Sequence, residues 1–431
     1  MLSAATSSWS RGSGSRFDLW AHHLAAFCSG CILLVGRWSF DRLDSQGLAF
    51  IGAPSLRGIG ITVLALLALY FAAKKPKVSR NSYIISLVAF LCWMALTALW
   101  SSRPEAAAHK LVDVTLLGIF LAAFHQLAIR IGTDRFLTLF TRYVFLLLGL
   151  LAAAAALSLS LADSAAVGRK SGQVFVLGSG PNVFGRNMAL LTCFLLIQMR
   201  RGWLMPMSIG FAGVSTLLLL LSGSRSAVLG LAIGLLLTLV FLKRSVWLRV
   251  AIPLLLLIPT ASTSAYQNLM ESFGYSTSHH SVWSRVVEVQ ADSLVNHTFK
   301  NFHDAGRAEL YEGAFQMGVD SPIGGEGLGG YQLHGSSKTF HYPHNLVAEA
   351  WAEGGGIGVI LLLVIGIRFA WRFLPTIRST WGPLSVGVLL SGIFSMLSGD
   401  IYDSRVLMCF ALAWMLKHDS IPVRSEARTS S

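Results

Sequence analysis

The sequence has few charged residues for its length. Only 13% of its 431 residues are Asp, Glu, Lys or Arg, whereas 54% are hydrophobic and the mean hydropathy is +0.61. A soluble chain carries roughly twice that charged fraction. Cysteine is also scarce, and all five cysteines lie inside apolar runs. These features exclude a water-soluble enzyme, a disordered scaffold and a secreted disulfide scaffold, and they indicate a polytopic membrane protein.

Several motifs of known chemistry are absent as well. The sequence contains no Asp-x-Asp pair, no P-loop and no His-Glu-x-x-His, and its histidines match no zinc-binding spacing. Gly325-x-Gly327-x-x-Gly330 formally matches a dinucleotide fingerprint, but it follows Pro322 in a predicted loop, so we expect only a tight turn there. The sequence therefore predicts neither a metal nor a cofactor.

Apolar runs recur along the chain at the length needed to cross a membrane, which is about 20 residues. They predict an all-α, polytopic integral membrane protein with about twelve transmembrane helices. The predicted spans lie near residues 22–36, 48–73, 83–100, 111–129, 143–162, 184–199, 203–222, 226–242, 246–262, 345–370, 382–398 and 404–418. They divide the chain into an N-terminal bundle (1–262), a large outer loop (263–344), three C-terminal spans (345–418) and a tail (419–431).

The predicted topology explains most of the formal net charge of +13. If both termini are cytoplasmic, the cytoplasmic segments carry 20 of the 34 basic residues and only 4 of the 21 acidic ones. That distribution obeys the positive-inside rule. The basic residues are dispersed over many segments without interleaved aromatic residues, so no nucleic-acid partner is predicted.

A few outer basic residues are left unexplained by topology: Arg169, Lys170, Arg186, Arg225 and Arg307. A cation at the membrane boundary costs a few kcal/mol unless it is paired or faces a wet cavity. Arg225 lies in a very short turn between two apolar runs. Its side chain either snorkels to the interface or binds an anion, because a guanidinium binds phosphate bidentately and keeps its charge when desolvated.

The most informative stretch closes the large outer loop. Pro343 favours an extended entry, so His344 is predicted at or near a helix N-terminus, where the helix dipole disfavours positive charge. A neutral imidazole there can act as general base towards a sugar hydroxyl. The alternative is that His344 merely caps the helix. Three consecutive glycines, residues 354–356, then predict a short interfacial helix that kinks into the tenth span.

An ordered set of these residues resembles the motifs of bacterial O-antigen ligases and of the wider O-antigen ligase and polymerase superfamily. The set comprises Pro181-Asn182, Arg225-x3-Leu229, the loop stretches Gly306 to Phe315 and Asp320 to Gly329, and His344-Asn345-x9-Gly355-x-x-Gly358. The resemblance covers residues 165–365 with motifs and the rest of the chain by predicted topology.

The resemblance implies a GT-C-like, metal-independent, inverting glycosyltransferase at the periplasmic face of the bacterial inner membrane. Its donor would be an oligosaccharide on undecaprenyl diphosphate. Arg225 and Arg307 would hold the diphosphate, with Arg186 and Arg169 as further candidates, and His344 would activate the acceptor hydroxyl. The implied partners are this lipid-linked donor, a glycan acceptor, membrane lipid, and a flippase and a chain-length regulator.

Three functions stay open at the level of sequence. Arg169-x10-Gly180 and Arg307-x10-Gly318 resemble paired motifs of O-antigen polymerases, and the stretch from Gly185 resembles exopolysaccharide polymerases. We therefore favour polymerisation of repeat units, with transfer of a finished glycan to lipid A-core as the alternative. A transporter or flippase of lipid-linked glycans would suit twelve spans. However, the hydropathy shows no repeated halves and the strongest motif lies at an outer loop.

Overall fold

The computed structural model describes residues 16–34, 56–74, 82–160, 181–198, 205–222, 224–241, 307–333, 342–377, 380 and 382–419. All regular secondary structure in these ranges is helical, which confirms the all-α prediction. The α-helices are α1 (Arg16–Leu34), α2 (Leu56–Lys74), α3 (Ser82–Leu96), α4 (Pro104–Ile131), α5 (Thr133–Ser160), α6 (Pro181–Gln198), α7 (Met205–Leu221), α8 (Arg225–Phe241), α9 (Arg307–Asp320), α10 (Leu346–Thr376), α11 (Pro383–Leu397) and α12 (Arg405–Asp419).

Eleven of the twelve predicted spans coincide with helices α1–α8 and α10–α12. The predicted span at 246–262 lies outside the described residues, so the total number of spans stays a prediction. Five helices within the described ranges are long and apolar enough to cross a membrane, and five more are shorter but apolar. Large side chains on these helices also face outward, as Leu69, Leu99 and Trp371 do at 66%, 81% and 80% exposure. Such apolar outer surfaces are typical of an integral membrane protein.

Aromatic side chains join four helices in the middle of the bundle. Phe124 on α4 meets Phe136 and Phe140 on α5 edge-to-face, with ring centroids 5.1 and 5.0 Å apart. Phe410 on α12 lies 6.2 Å from Phe140 and 6.1 Å from Phe194 on α6. These offset contacts add specific geometry to the packing of large apolar rings. They fix α4, α5, α6 and α12 as one packed unit.

Side-chain hydrogen bonds tie together the helix ends on one side of the bundle, which we call the site end. Arg405 Nε at the start of α12 donates to the backbone carbonyl of Ile32 near the end of α1, at 2.9 Å. Asn345, just before α10, donates through Nδ2 to the carbonyl of Met396 near the end of α11, at 3.0 Å. Pro104 begins α4 and Pro383 begins α11, as expected for a residue without a backbone N–H at the first helical position.

Helix α10 consists of two parts joined by a kink at Gly355, whose φ of 61° lies in the left-handed region. We call residues 346–354 the entry helix. The backbone groups released by the kink are paired with other elements: Gly354 O accepts from Trp93 Nε1 at 2.9 Å, and Gly356 N donates to Pro322 O at 2.8 Å. The predicted glycine kink is therefore confirmed, with the entry helix at the site end.

The described part of the large outer loop packs on the entry helix. Leu310 and Ala314 of α9 form a small apolar cluster with Tyr331 and with Ala352 of the entry helix. The Tyr331 hydroxyl donates to the backbone carbonyl of Leu310 at 2.9 Å, and burial raises the pKa of Tyr331 to about 12. These contacts hold α9, which begins at Arg307, against the entry helix that follows His344.

The glycine-rich segment between α9 and Tyr331 is a series of turns. Gly325, Gly327 and Gly329 all have positive φ, and a Cβ at any of them would meet neighbouring backbone atoms closer than 3.0 Å. The expectation of a tight turn in place of a dinucleotide-binding strand and helix is confirmed. Only glycine permits both this conformation and this approach to the start of α4 and to the kink.

Candidate active site

His344 lies two residues before the first residue of the entry helix, near the helix N-terminus as predicted. The alternative that His344 caps this helix is wrong, because Asn345 is the N-cap. Asn345 Oδ1 accepts from the backbone N–H groups of Val347 and Ala348 at 2.9 and 3.0 Å. One residue of the His-Asn pair thus satisfies the first turn of the helix, and the imidazole is not used for capping.

His344 has the only positive φ, 59°, among non-glycine residues in the described ranges. Asn, Asp and His are the non-glycine residues that adopt this conformation most often. The imidazole packs edge-on against the ring of Tyr342, with the centroids 4.5 Å apart. Pro343 between them is buried. The backbone conformation therefore places the imidazole beside the aromatic ring at the site end.

The remaining glycines of the motif also have identifiable roles. Gly355 forms the kink, and a Cβ at Gly358 would lie 2.9 Å from the carbonyl oxygen of Ala350, across the kink. The spacing His-Asn-x9-Gly-x-x-Gly thus describes an entry helix, a left-handed break and a close approach after it.

A largely buried lysine and two fully buried carboxylates join α4 to the entry helix. Lys110 Nζ lies 2.7 Å from Glu349 Oε1 and 2.6 Å from Glu353 Oε1, and both glutamate side chains are fully buried. Glu349 Oε2 accepts from the backbone N–H of Ile401 at 2.9 Å. This cluster, which we call the Lys110 triad, fixes the entry helix to α4 and to the turn between α11 and α12.

That turn, residues 398–404, holds the guanidinium of Arg186. Arg186 donates through Nη2 to Ser398 Oγ at 2.8 Å, and its Nη1 lies 3.9 Å from Asp403 Oδ2. Its side chain is only 11% exposed, and its buried Nε has no hydrogen-bond acceptor among the described residues. Asp403 also pairs with the buried Arg405 at 3.2 Å. A buried guanidinium with an unused N–H is suited to an oxyanion ligand.

For the other predicted arginines, only the helix to which each belongs is described. Arg225 is the first residue of α8, after the predicted very short turn, and Arg307 is the first residue of α9. Arg169 lies outside the described residues. The Arg186 helix and the Arg225 turn are adjacent, because Ser224 Oγ donates to Asn182 Oδ1 at 2.9 Å.

Gly185 allows this close approach of the two elements. A Cβ at that position would lie 2.7 Å from Ser222 Oγ and 2.9 Å from the Cβ atoms of Ser224 and Ala227. Three of the four predicted arginines thus belong to elements at the site end: α6 and the start of α8, which contact each other, and α9, which packs on the entry helix.

A cavity of about 760 Å³ opens beside these elements. It is lined by the first turns of α4, by Tyr342 and by Asp400 of the 398–404 turn. Because the Tyr342 ring contacts the imidazole of His344, the cavity lies next to the predicted base. In the described part of the chain, no group of three or more His, Cys, Asp or Glu side chains has an arrangement that could hold a metal ion.

Sequence reasoning missed the Lys110 triad and the 398–404 turn. Glu349 and Glu353 are four residues apart and so share a helix face, but they were not singled out. Lys110 lies at the edge of an apolar run, immediately before the span predicted at 111–129. Asp400 and Asp403 fall in a short connection between predicted spans. The available signal was acidic residues at helical spacing in an otherwise apolar segment.

The helical bundle with an apolar outer surface and a charged site at one end defines an integral membrane protein. Residues 210–363 match the family model described as O-antigen ligase. The matched segment contains Arg225, Arg307 and His344, and it confirms the sequence-based resemblance over that part of the chain. A comparison with curated proteins finds no match. The match supports a role in surface-polysaccharide assembly by glycosyltransferase-like chemistry on lipid-linked glycans.

Replacing Gly318 with alanine is expected to destabilise the protein, because a Cβ at this position of α9 would overlap the indole ring of Trp351. Overpacking of this kind costs about 1–3 kcal/mol. Thermal unfolding in detergent should show a lowered Tm. Gly149→Ala on α5 is the matched control, since nothing lies within 4 Å of its Cβ. Equal Tm values for the two variants would contradict the packing described here.

Proposed function

We propose that this protein polymerises undecaprenyl-diphosphate-linked repeat units of a bacterial surface polysaccharide by an inverting, metal-independent transfer. The observation that carries the proposal is that His344, the buried Arg186 and the elements that begin with Arg225 and Arg307 all lie at the same end of the bundle. A diphosphate leaving group needs fixed cations, and an acceptor hydroxyl needs a base. One site that holds both groups can perform a glycosyl transfer.

In the proposed reaction, the arginines bind the diphosphate of the donor. Arg225 and Arg307 are the main ligands, and Arg186 adds its unused Nε–H, with Arg169 as a further candidate. His344 takes the proton of the acceptor hydroxyl as this oxygen attacks the anomeric carbon of the donor from the face opposite the diphosphate. The bond from the anomeric carbon to the diphosphate breaks, and the lipid diphosphate leaves with the electron pair.

Polymerisation is favoured by the Arg-x10-Gly spacing. Gly318, which ends Arg307-x10-Gly318, is the residue on which Trp351 packs, so the spacing sets how the helix of Arg307 rests on the element that follows His344. Transfer to lipid A-core is the alternative, and the match of residues 210–363 to an O-antigen ligase model favours it.

We place the protein in the inner membrane with both termini cytoplasmic and the site end periplasmic. Support comes from the end opposite the site, where Lys74 pairs with Asp18 at 3.0 Å and Arg368 donates to Ser86 Oγ at 2.7 Å. Arg130 and Lys417 also belong to helix ends on that side, which fits the positive-inside rule. A flippase and a chain-length regulator are proposed as partners in the same assembly.

Deleting the gene in its host distinguishes the two functions by product. A polymerase-null strain is expected to accumulate single repeat units on the lipid carrier, and wild-type protein should restore long chains. Arg307→Ala should fail to restore them at an unchanged protein level, because the diphosphate loses a cation. Arg372→Ala, at the opposite end, is the control. Mass spectrometry of extracted lipid-linked glycans makes the measurement.

If the deletion strain instead accumulates long chains on the lipid carrier and has unmodified lipid A-core, the protein is a ligase and not a polymerase. Long polymer in cells that contain only Arg307→Ala would contradict the proposed arginine role.

A further inference from the structure

The exposed surface of α9 carries an apolar stripe beside a polar one. Phe315 and Val319 lie one helical turn apart and are 64% and 47% exposed. Ile323, in the turn that follows α9, is 72% exposed. We call these three side chains the outer apolar stripe. The neighbouring polar stripe on α9 is exposed as well and comprises Glu312, Gln316 and Asp320. Because α9 packs on the entry helix through Leu310 and Ala314, the outer apolar stripe is its second apolar surface.

The turn that follows α9 is bonded to the ends of two helices that are apolar enough to cross a membrane. Trp100, the last residue of one of them, donates through Nε1 to Gly325 O at 3.2 Å. Gly356, the first residue of α10 after the kink, donates through its backbone N–H to Pro322 O at 2.8 Å. The part of α10 after the kink, residues 356–376, is about 31 Å long, which matches a hydrocarbon core of about 30 Å. The turn therefore lies at the level where both helices leave the hydrocarbon.

The outer apolar stripe adjoins the outer surface of α10. Ile323 O accepts from the backbone N–H of Ile357 at 3.4 Å, so Ile323 lies beside the first turn after the kink. On the following turns of α10, the side chains of Ile360, Leu363 and Ile367 are exposed as well. Exposed apolar patches mark sites of interaction with proteins or with membranes. A patch that adjoins the lipid-facing surface of a span is suited to acyl chains.

Two tryptophans lie at the same level. The rings of Trp93 and Trp100 are 5.7 Å apart, and Trp93 Nε1 donates to Gly354 O at the kink, at 2.9 Å. Tryptophan is enriched at the boundary between membrane and water, where its ring lies at the level of the headgroups. This pair therefore supports the position of the turn at the membrane surface.

We propose that α9 and the turn after it rest on the membrane, with the outer apolar stripe among the phospholipid acyl chains of the site-end leaflet and the polar stripe in water. An amphipathic helix in this position buries its apolar face about 5–10 Å into the boundary region. A lipid surface fits better than a second copy of the chain, because a stable protein interface needs about 20–30 residues on each side. The stripe has three side chains, and they continue a surface that already faces lipid.

The test uses the full-length protein in nanodiscs of phosphatidylethanolamine and phosphatidylglycerol. Val319, Ile323, Gln316 and Trp371 are replaced, one at a time, by the photoreactive residue p-benzoylphenylalanine, which bonds covalently to C–H groups within its reach when irradiated. Gln316 on the polar stripe is the negative control, and Trp371, which is exposed on α10, is the positive control. Intact-protein mass spectrometry then measures the fraction of protein that carries one added phospholipid.

Positions 319 and 323 should give severalfold more phospholipid adduct than position 316, at yields close to that of position 371. Adduct yields at 319 and 323 no higher than at 316 would overturn the proposal. Covalent dimers from positions 319 and 323 in place of lipid adducts would also overturn it, because a second copy of the chain would then cover the stripe. These yields do not depend on catalysis, so lipid adducts on a protein that transfers nothing would reject the proposed function and support the membrane contact.

The anchored helix has a consequence for the reaction that rests on the proposed function. Since α9 begins at Arg307, its anchoring keeps this arginine near the lipid headgroups, where a lipid-linked diphosphate lies. Val319→Asp places a charge in the outer apolar stripe and should raise the KM for the lipid-linked donor severalfold, with kcat close to that of the wild type. Gln316→Asp adds the same charge to the polar stripe and should leave both constants unchanged. An unchanged KM in Val319→Asp would reject this role of α9 in donor binding.

Discussion

Replacing His344 with asparagine is expected to reduce glycosyl transfer by at least about 100-fold, the lower end of what a general base contributes. Asparagine tolerates a φ of 59° about as well as histidine does, so the backbone before the entry helix should be retained. The loss would then come from the missing imidazole. The rate of transfer by purified protein in detergent provides the measurement, with Tm as the check on folding.

His418→Asn, at the opposite end of the bundle, is the matched control for this substitution and should keep full activity. His344→Gly offers a second variant, since glycine adopts the left-handed conformation without strain. Transfer at the wild-type rate by either His344 variant would show that the imidazole is not needed for the reaction.

Replacing Lys110 with methionine is expected to lower the free energy of unfolding by about 3–5 kcal/mol, because Glu349 and Glu353 would be left as buried charges without their cation. Neutralising both partners in the same chain, with Glu349→Gln and Glu353→Gln, should recover most of this loss. Transfer should fall with Lys110→Met as well, since the triad fixes the entry helix that follows His344.

Lys74→Met is the control for this prediction, because Lys74 also pairs with a carboxylate at 3.0 Å but is 45% exposed. Exposed ion pairs contribute about 0–1 kcal/mol. Unfolding curves of the purified variants compare the two sites. Similar losses for Lys110→Met and Lys74→Met would contradict a buried triad that stabilises the entry helix.

The order and type of most helices could be predicted because apolar runs of about 20 residues have few alternatives in a membrane. The kink at Gly355 was predictable too, since consecutive glycines weaken a helix wherever they occur. The left-handed conformation of His344 and the capping by Asn345 were not, because sequence does not distinguish which of two neighbouring polar residues satisfies the first turn.

The candidate site was predictable only in part. Arg186 was identified as an unexplained cation, but its acceptors, Ser398 and Asp403, lie more than 200 positions further along the chain. The Lys110 triad likewise joins residues 239 and 243 positions apart. Such contacts depend on how the helices pack, and no local pattern in a single sequence records that packing.

The proposed function requires that this protein transfers lipid-linked sugars at the site end without a metal. The most direct measurement mixes purified protein with a polyprenyl-diphosphate-linked repeat unit in EDTA and follows product length by mass spectrometry. We predict lipid-linked products of two or more repeats, with one free lipid diphosphate released per bond formed, and none with His344→Asn. The proposal would be contradicted if folded wild-type protein leaves the single repeat units unchanged. It would also be contradicted if His344→Asn forms as much product as the wild-type protein.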